Sequence, residues 1–231
     1  MTITLITGAN KGLGYEAARR LKAEGHSIYL GARDKGRGTA AAESLGVRFV
    51  QLDVTDDDSV AAAADDIRRR DGRLDVLINN AGITGGRAKP EDVTPDTIRA
   101  VYETNVFGVV RVTHAMLPLL RASENPVIVN VASGLGSLAI VTDPKRGEST
   151  YASLSYASSK SALVMLTVQY AKAFPEFRVN VVDPGYTATD LNGNSGTQNV
   201  TEGTDAMVRM ATIAKDGPTG RFEDRGGVIP W

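Results

Sequence analysis

The chain has 231 residues, with 26 Lys and Arg against 27 Asp and Glu for a formal charge of −1, 42% hydrophobic residues and 23% charged ones. That length suits one domain with a sizeable core, and the balanced charge lacks the basic excess that draws a protein to nucleic acid or an anionic membrane surface. With no cysteine, two histidines and no apolar run long enough to cross a bilayer, disulfides, thiolate or three-histidine metal sites, a thiol nucleophile and a membrane span are all excluded.

The chain opens Met1-Thr2-Ile3-Thr4-Leu5-Ile6-Thr7 and runs straight into glycines. It has neither the basic start nor the cleavage site of a signal peptide, so a cytoplasmic location is expected. Short apolar runs then alternate with segments of helical periodicity, the pattern of a parallel sheet covered on both faces. Strands are expected at Ile3 to Thr7, Ser27 to Gly31 and Val47 to Leu52, with helices at Gly12 to Glu24 and Thr39 to Leu45 between them. Asp56-Asp57-Asp58-Ser59 suits the N-terminus of an alanine-rich helix reaching about Arg70, and the fourth strand is Leu74 to Ile78. Pro95 starts a helix expected to continue through Asn105 to Leu120, and the fifth strand is Val127 to Val131. A helix from about Tyr156 to Ala173 buries Ala162, Leu163, Leu166 and Tyr170, and the sixth strand is Phe177 to Val182. Thr187 to Glu202 is a long polar loop before a short helix near Thr204 to Ile213, and Gly226 to Trp231 offers a last edge strand. No repeat or linker divides the chain, so residues 1–231 read as one domain, with 187–213 as substrate loop and lid.

The first strand ends in Thr7-Gly8-Ala9-Asn10-Lys11-Gly12-Leu13-Gly14 and leads into a helix. Glycines there let the backbone approach a pyrophosphate, while the helix N-terminus offers free N–H groups and the positive end of its dipole. Tyr156 and Lys160, four residues apart, share one helix face. The ammonium is expected to favour the phenolate and lower the phenol pKa, making Tyr156 an acid/base near neutral pH.

The glycine spacing resembles that of the short-chain dehydrogenase/reductase family. Four further elements match in order: Asp53-Val54, Asn79-Asn80-Ala81-Gly82, Tyr156-Ala157-Ser158-Ser159-Lys160, and Pro184-Gly185 with Thr187 and Thr189. The resemblance spans nearly the whole chain. It implies a Rossmann-type three-layer α/β/α sandwich with a doubly wound, mainly parallel seven-stranded sheet, and hydride transfer between a nicotinamide and a ketone or aldehyde.

By the same resemblance, Gly8, Asn10, Lys11, Gly12, Leu13 and Gly14 hold the cofactor's phosphates, Asp53 and Val54 its adenine, and Asn80, Ala81 and Gly82 line its path. Lys160 binds the nicotinamide ribose, and Pro184, Gly185, Thr187 and Thr189 surround the carboxamide. Ala32 stands where NAD-dependent members carry an acid and Arg33 follows; with Lys11 this favours the 2′-phosphate of NADPH. Asp34 tempers that preference and has helix capping as its structural role. Ser133 matches the serine that binds the substrate carbonyl, and Asn105 the asparagine that holds a relay water. The alternatives are a dinucleotide-sensing regulator without turnover and an NAD-dependent alcohol dehydrogenase.

Tyr156 lies farther from Ser133 than is usual in the family, which places an insertion around Ile140 to Thr150 and points toward the carbonyl-reductase branch. A homodimer or homotetramer through the helices holding Asn105 and Tyr156 fits the family, and the insertion leaves a monomer open. Arg68-Arg69-Arg70 reads as a solvated helix end, and His26 and His114 as structural or surface residues. Met207 and Met210 suit either the core or a flexible substrate wall.

Overall fold

The computed structural model describes residues 1–86 and 88–231. In chain order it contains β1 (Ile3–Ile6), α1 (Gly12–Ala23), β2 (Ser27–Ala32), α2 (Lys35–Leu45), β3 (Arg48–Gln51), α3 (Asp57–Asp71) and β4 (Val76–Asn79). There follow α4 (Pro95–Tyr102), α5 (Gly108–Leu120), β5 (Val127–Val131), α6 (Leu138–Val141), α7 (Leu154–Ala173) and β6 (Arg178–Val182). The chain closes with α8 (Val200–Gly203), α9 (Asp205–Ala211), β7 (Phe222–Asp224) and β8 (Gly227–Val228). The strand order is β3-β2-β1-β4-β5-β6-β7-β8, parallel from β3 to β7.

The sheet therefore has eight strands where seven were expected, because the tail folds back as a hairpin. Asp224 Oδ1 accepts the N–H groups of Gly226 at 2.7 Å and Gly227 at 3.1 Å, and β8 pairs antiparallel to β7. The strand at Phe222–Asp224 is three residues long, too short for its periodicity to register in sequence.

Alternation along the strands sorts the core into two layers. Ile6, Ile78 and Val129 pack with α1, α2 and α9, whereas their neighbours Leu5, Leu77 and Ile128 pack with α3 and α5. A third cluster joins α5, α6 and α7 to Val181 and Phe222. Met207 and Met210 are core residues, at 0% and 2% exposure, which decides against a substrate wall.

Helix boundaries follow local chemistry. α2 starts earlier than Thr39, because Asp34 caps it by accepting the Arg37 N–H at 2.9 Å. Gly38 masks that start in sequence, yet a Cβ there would come within 2.1 Å of Phe49, so only glycine lets α2 lie on β3. The stretch from Pro95 to Leu120 is interrupted by a π-helical turn at Glu103–Phe107. Arg68, Arg69 and Arg70 pair with Asp65 and Asp66 of their own helix. No helix among the described residues is long and apolar enough to cross a membrane.

Leu77, fully buried at the centre of the sheet, reports on this packing. Leu77→Ala is expected to cost about 2–5 kcal/mol of unfolding free energy, read as a lower urea midpoint at unchanged m-value.

Candidate active site

The strand order reverses between β1 and β4, and the crevice at their carboxyl ends is where ligands bind in open parallel sheets. The two turns there meet backbone to backbone. Gly8 has φ +63°, and a Cβ on it would stand 2.9 Å from Ala81 Cα; a Cβ on Gly14 would stand 2.6 Å from Asn80 Nδ2. Asn80 Nδ2 donates to the carbonyls of Thr7 at 2.9 Å and Gly8 at 3.2 Å, while Thr7 Oγ1 accepts the N–H groups of Asn80 and Ala81, both at 3.0 Å. Thr7 thus joins the site as an anchor that sequence reasoning quoted without assigning it a role.

No side chain caps the N-terminus of α1, so its N–H groups stay free for an anion. Together with the glycine cradle, this fits a dinucleotide pyrophosphate. Leu13 packs against the core beside Asn10 and Gly12 in the same turn. Lys11, expected to face a phosphate, forms an exposed ion pair with Asp190 at 2.8 Å. The loop after β6 reaches over the turn here, since a Cβ on Gly12 would touch Thr189 at 3.7 Å.

Arg33 is exposed at the tip of β2 and makes no ion pair with a described residue, while neighbouring Asp34 is occupied by its cap. After β3, Asp53 Oδ1 accepts from Thr55 N at 3.0 Å and Thr55 Oγ1 at 2.8 Å, and Val54 is buried beside it. After β6, Gly185 has φ +68° behind Pro184. Thr187 is buried, donating to the Pro184 carbonyl at 2.8 Å and bridging to Gln198.

Lys160 and Tyr156 lie on the first turns of α7. The Lys160 Nζ is buried and donates to the Val131 carbonyl at 2.8 Å; it stands 5.6 Å from the centroid of the Tyr156 ring. Ser133 follows β5 and accepts the Leu135 N–H at 3.2 Å. Asn105, fully buried in the π-helical turn, is clamped by the Ile83 backbone: Oδ1 accepts its N–H and Nδ2 donates to its carbonyl, each at 2.9 Å. Nδ2 also donates to Ser159 Oγ at 3.0 Å. Gly82 adjoins both groups: a Cβ there would sit in ordinary contact, 3.4 Å from Asn105 Oδ1 and 3.5 Å from Lys160 Nζ.

The titration of the pair differs from the expectation of a lowered phenol. Burial pushes Tyr156 up to about 12, helped by the nearby Asp183 carboxylate and opposed by Ser133. Burial also pulls Lys160 down to about 8, with Asp183 acting against the fall. The ammonium is drawn to the Val131 carbonyl, and so it does not acidify the phenol in this arrangement.

The expected sites therefore gather along one edge of the sheet. A cavity of about 830 Å³ lies at the opposite edge near Thr2, His26 and Asn125, and its Asp75, Arg73 and Ser123 side chains are occupied with one another.

A family model described as short chain dehydrogenase matches residues 2–200. The chain belongs to the short-chain dehydrogenase family. Among members of the family, (+)-neomenthol dehydrogenase of Arabidopsis thaliana is 33% identical over 96% of this chain and 95% of its own. The structure of salutaridine reductase from Papaver somniferum superposes with a TM-score of 0.85 at 30% identity, covering 96% of this chain and 99% of that one. NADPH-bound carbonyl reductase from chicken fatty liver superposes with a TM-score of 0.87 at 26% identity over the full length of both chains. This dehydrogenase is thus an oxidoreductase of carbonyl and alcohol groups that uses a nicotinamide cofactor.

Because folding lowers the Lys160 pKa, the unfolded chain binds the extra proton between about 8 and the ordinary lysine value of 10.5. Stability contributed at this site therefore rises with pH across that window. The difference in unfolding free energy between wild type and Lys160→Met should grow in favour of wild type from pH 8 to 10, as urea titrations of the cofactor-free proteins would record.

Proposed function

We propose that this dehydrogenase is an NADPH-dependent reductase of a ketone or aldehyde, reversible in principle, with Tyr156 as the acid. The observation that carries the reading is the half-buried Tyr156 paired with the buried Lys160 beside Ser133, on the same sheet edge as the Gly8–Gly14 cradle. When bound, the nicotinamide supplies the hydride. The Ser133 hydroxyl donates to the substrate oxygen, where a fixed dipole acts most strongly as negative charge develops. Tyr156 gives its proton to that oxygen, and a phenol held near 12 is protonated and ready at neutral pH. Lys160 holds the nicotinamide ribose hydroxyls. Asn105 Oδ1 and Lys160 Nζ face the gap over Gly82, the place for a water that returns a proton toward Tyr156.

Support for NADPH over NADH comes from Arg33, exposed and without an ion pair to any described residue, beside an Asp34 that is occupied in capping α2. Lys11 assists by exchanging Asp190 for the phosphate. Asp53 and Val54 flank the adenine, and Pro184, Gly185, Thr187 and Thr189 the carboxamide. Of the expected lid at 187–213, α8 and the largely buried α9 are fixed in the fold, so the segment that closes is 187–199, anchored through α8. There Arg20 of α1 donates to the Thr201 carbonyl at 2.8 Å and Glu16 accepts from Thr201 Oγ1 at 3.0 Å. Closing this segment would exclude water from the hydride path.

Titration of the protein with NADPH and NADH by fluorescence, followed by a panel of carbonyl compounds monitored at the reduced-nicotinamide absorbance, tests the reading. Tight NADPH binding with oxidation by some carbonyl is expected; equal KM values for the two cofactors would refute the NADPH preference. Arg33→Ala should raise KM for NADPH roughly tenfold or more while leaving NADH unaffected, the loss of about one charge-assisted contact. Tyr156→Phe should lower kcat by about 10²–10⁴ and Ser133→Ala by about 10²–10³, each with NADPH affinity preserved.

A further inference from the structure

Asp183 ends β6 immediately before Pro184 and Gly185, and it is buried. The reaction as described uses its neighbours on both sides and leaves this carboxylate without a task. Its Oδ1 accepts the Gly185 N–H at 2.9 Å, and its other oxygen packs against the Gly134 backbone. The fit is close, for a Cβ on Gly134 would stand 2.9 Å from Asp183 Oδ2. The backbone on either side is equally committed: the Asp183 N–H donates to the Glu223 carbonyl, and the Val182 carbonyl accepts from Ala132, both at 2.8 Å. One side chain thereby spans from the turn that follows Ser133 to the turn expected to face the nicotinamide.

We propose that Asp183 is a positioning residue for carbonyl reduction, its carboxylate fastening the Ser133–Gly134 turn to the Pro184–Gly185 turn so that the substrate oxygen's donors and the nicotinamide are held at one separation. The proposal rests on the reductase reading above. A carboxylate that accepts the Gly185 N–H while filling the space against Gly134 constrains both turns at once, and displacements of about 1 Å in such a constellation can cost about 10²-fold in rate. A neutral, shorter side chain would remove the acceptor of the Gly185 N–H and open the space beside Gly134.

The surroundings determine what removing the charge does. From α7, Tyr156 and Lys160 face Asp183; from the insertion, Glu148 approaches the same Gly134 position and pairs with Arg146 at 3.2 Å. From β7, Asp224 adds a like charge while its Oδ1 holds the hairpin turn, and Glu223 is paired with Arg209 at 2.9 Å. Burial with these acids nearby raises the Asp183 carboxyl above the usual carboxylate range. In its ionised form it favours the charged state of Lys160 and the protonated state of Tyr156. Both are the forms that reduction requires.

The test compares wild type, Asp183→Asn and Asp183→Ala with NADPH and a carbonyl that the wild type reduces. In Asp183→Ala, kcat should fall by about 10- to 100-fold with the NADPH Kd within about threefold of wild type. Asp183→Asn, which keeps one acceptor oxygen, should recover part of the rate. In both variants the alkaline limb of the kcat profile should move to lower pH, because Lys160 and Tyr156 each lose a neighbouring negative charge and give up their protons more readily. An unmoved limb with kcat within about twofold of wild type would overturn the role. So would an Asp183→Ala protein that loses NADPH binding and its melting transition while Asp183→Asn matches wild type in rate and pH profile, since that pattern marks a purely structural residue. A wild type that oxidises NADPH with no carbonyl overturns the reductase reading and this proposal with it, whereas unchanged variants of an active enzyme overturn the role of Asp183 alone.

Discussion

The close approach of two backbone turns, after β1 and after β4, is the constraint around which the rest of this structure is arranged. Gly8 lies against Ala81 at a distance that no Cβ tolerates, and Thr7 accepts hydrogen bonds from Asn80 and Ala81 across the same gap. Because the strand order reverses at this point, helices leave the sheet in opposite directions and open a crevice that neither β1 nor β4 could form alone. The glycines therefore serve two purposes with one geometry: they let the turns pack, and they leave the N–H groups of α1 exposed to a phosphate.

On the other side of the crevice, α7 carries the half-buried Tyr156 and the buried Lys160, and each is pushed toward its uncharged form, the amine downward and the phenol upward. Asp183 opposes the first shift and reinforces the second. Bringing the nicotinamide ribose against Lys160 would redistribute this balance, since the ammonium's present hydrogen bond is to the Val131 carbonyl.

The segments least regular in sequence connect the site to the outside. The insertion folds into α6 and a 3₁₀ turn at Gly147–Thr150, placing Glu148 and Tyr151 near Asp183 and Tyr156. Ser137 and Ala139 are tied to the chain's last residues, with Ser137 Oγ donating to the Pro230 carbonyl and Ala139 N–H to that of Trp231. The loop after β6 is held against α1 by Arg20, Glu16 and Lys11, three side chains from the helix and turn that the cofactor's phosphates are expected to meet. The loop after β6 and the glycine turn are therefore mechanically joined.

Residues 1–182 were largely legible in sequence, because buried strands of four to six residues and helices of ten or more leave the apolar periodicities that a one-dimensional reading detects. The glycine turn and the Tyr156–Lys160 spacing were legible as local patterns of residue types, whereas Asn105 and Ser133 were singled out only by the family resemblance. Charge pairing and burial escaped that reading, since both depend on residues far apart in the chain. Lys11 found Asp190, and the phenol of Tyr156 rose instead of falling. Asp183 showed no periodicity or motif and acquired its partners only when β5, β6 and β7 came side by side. The sequence by itself determined the layered sheet and the chemical inventory at its edge. Tertiary structure alone decided which of those groups meet, which are desolvated and hence which way their protons shift, because desolvation and Coulomb energy depend on distance in space rather than along the chain.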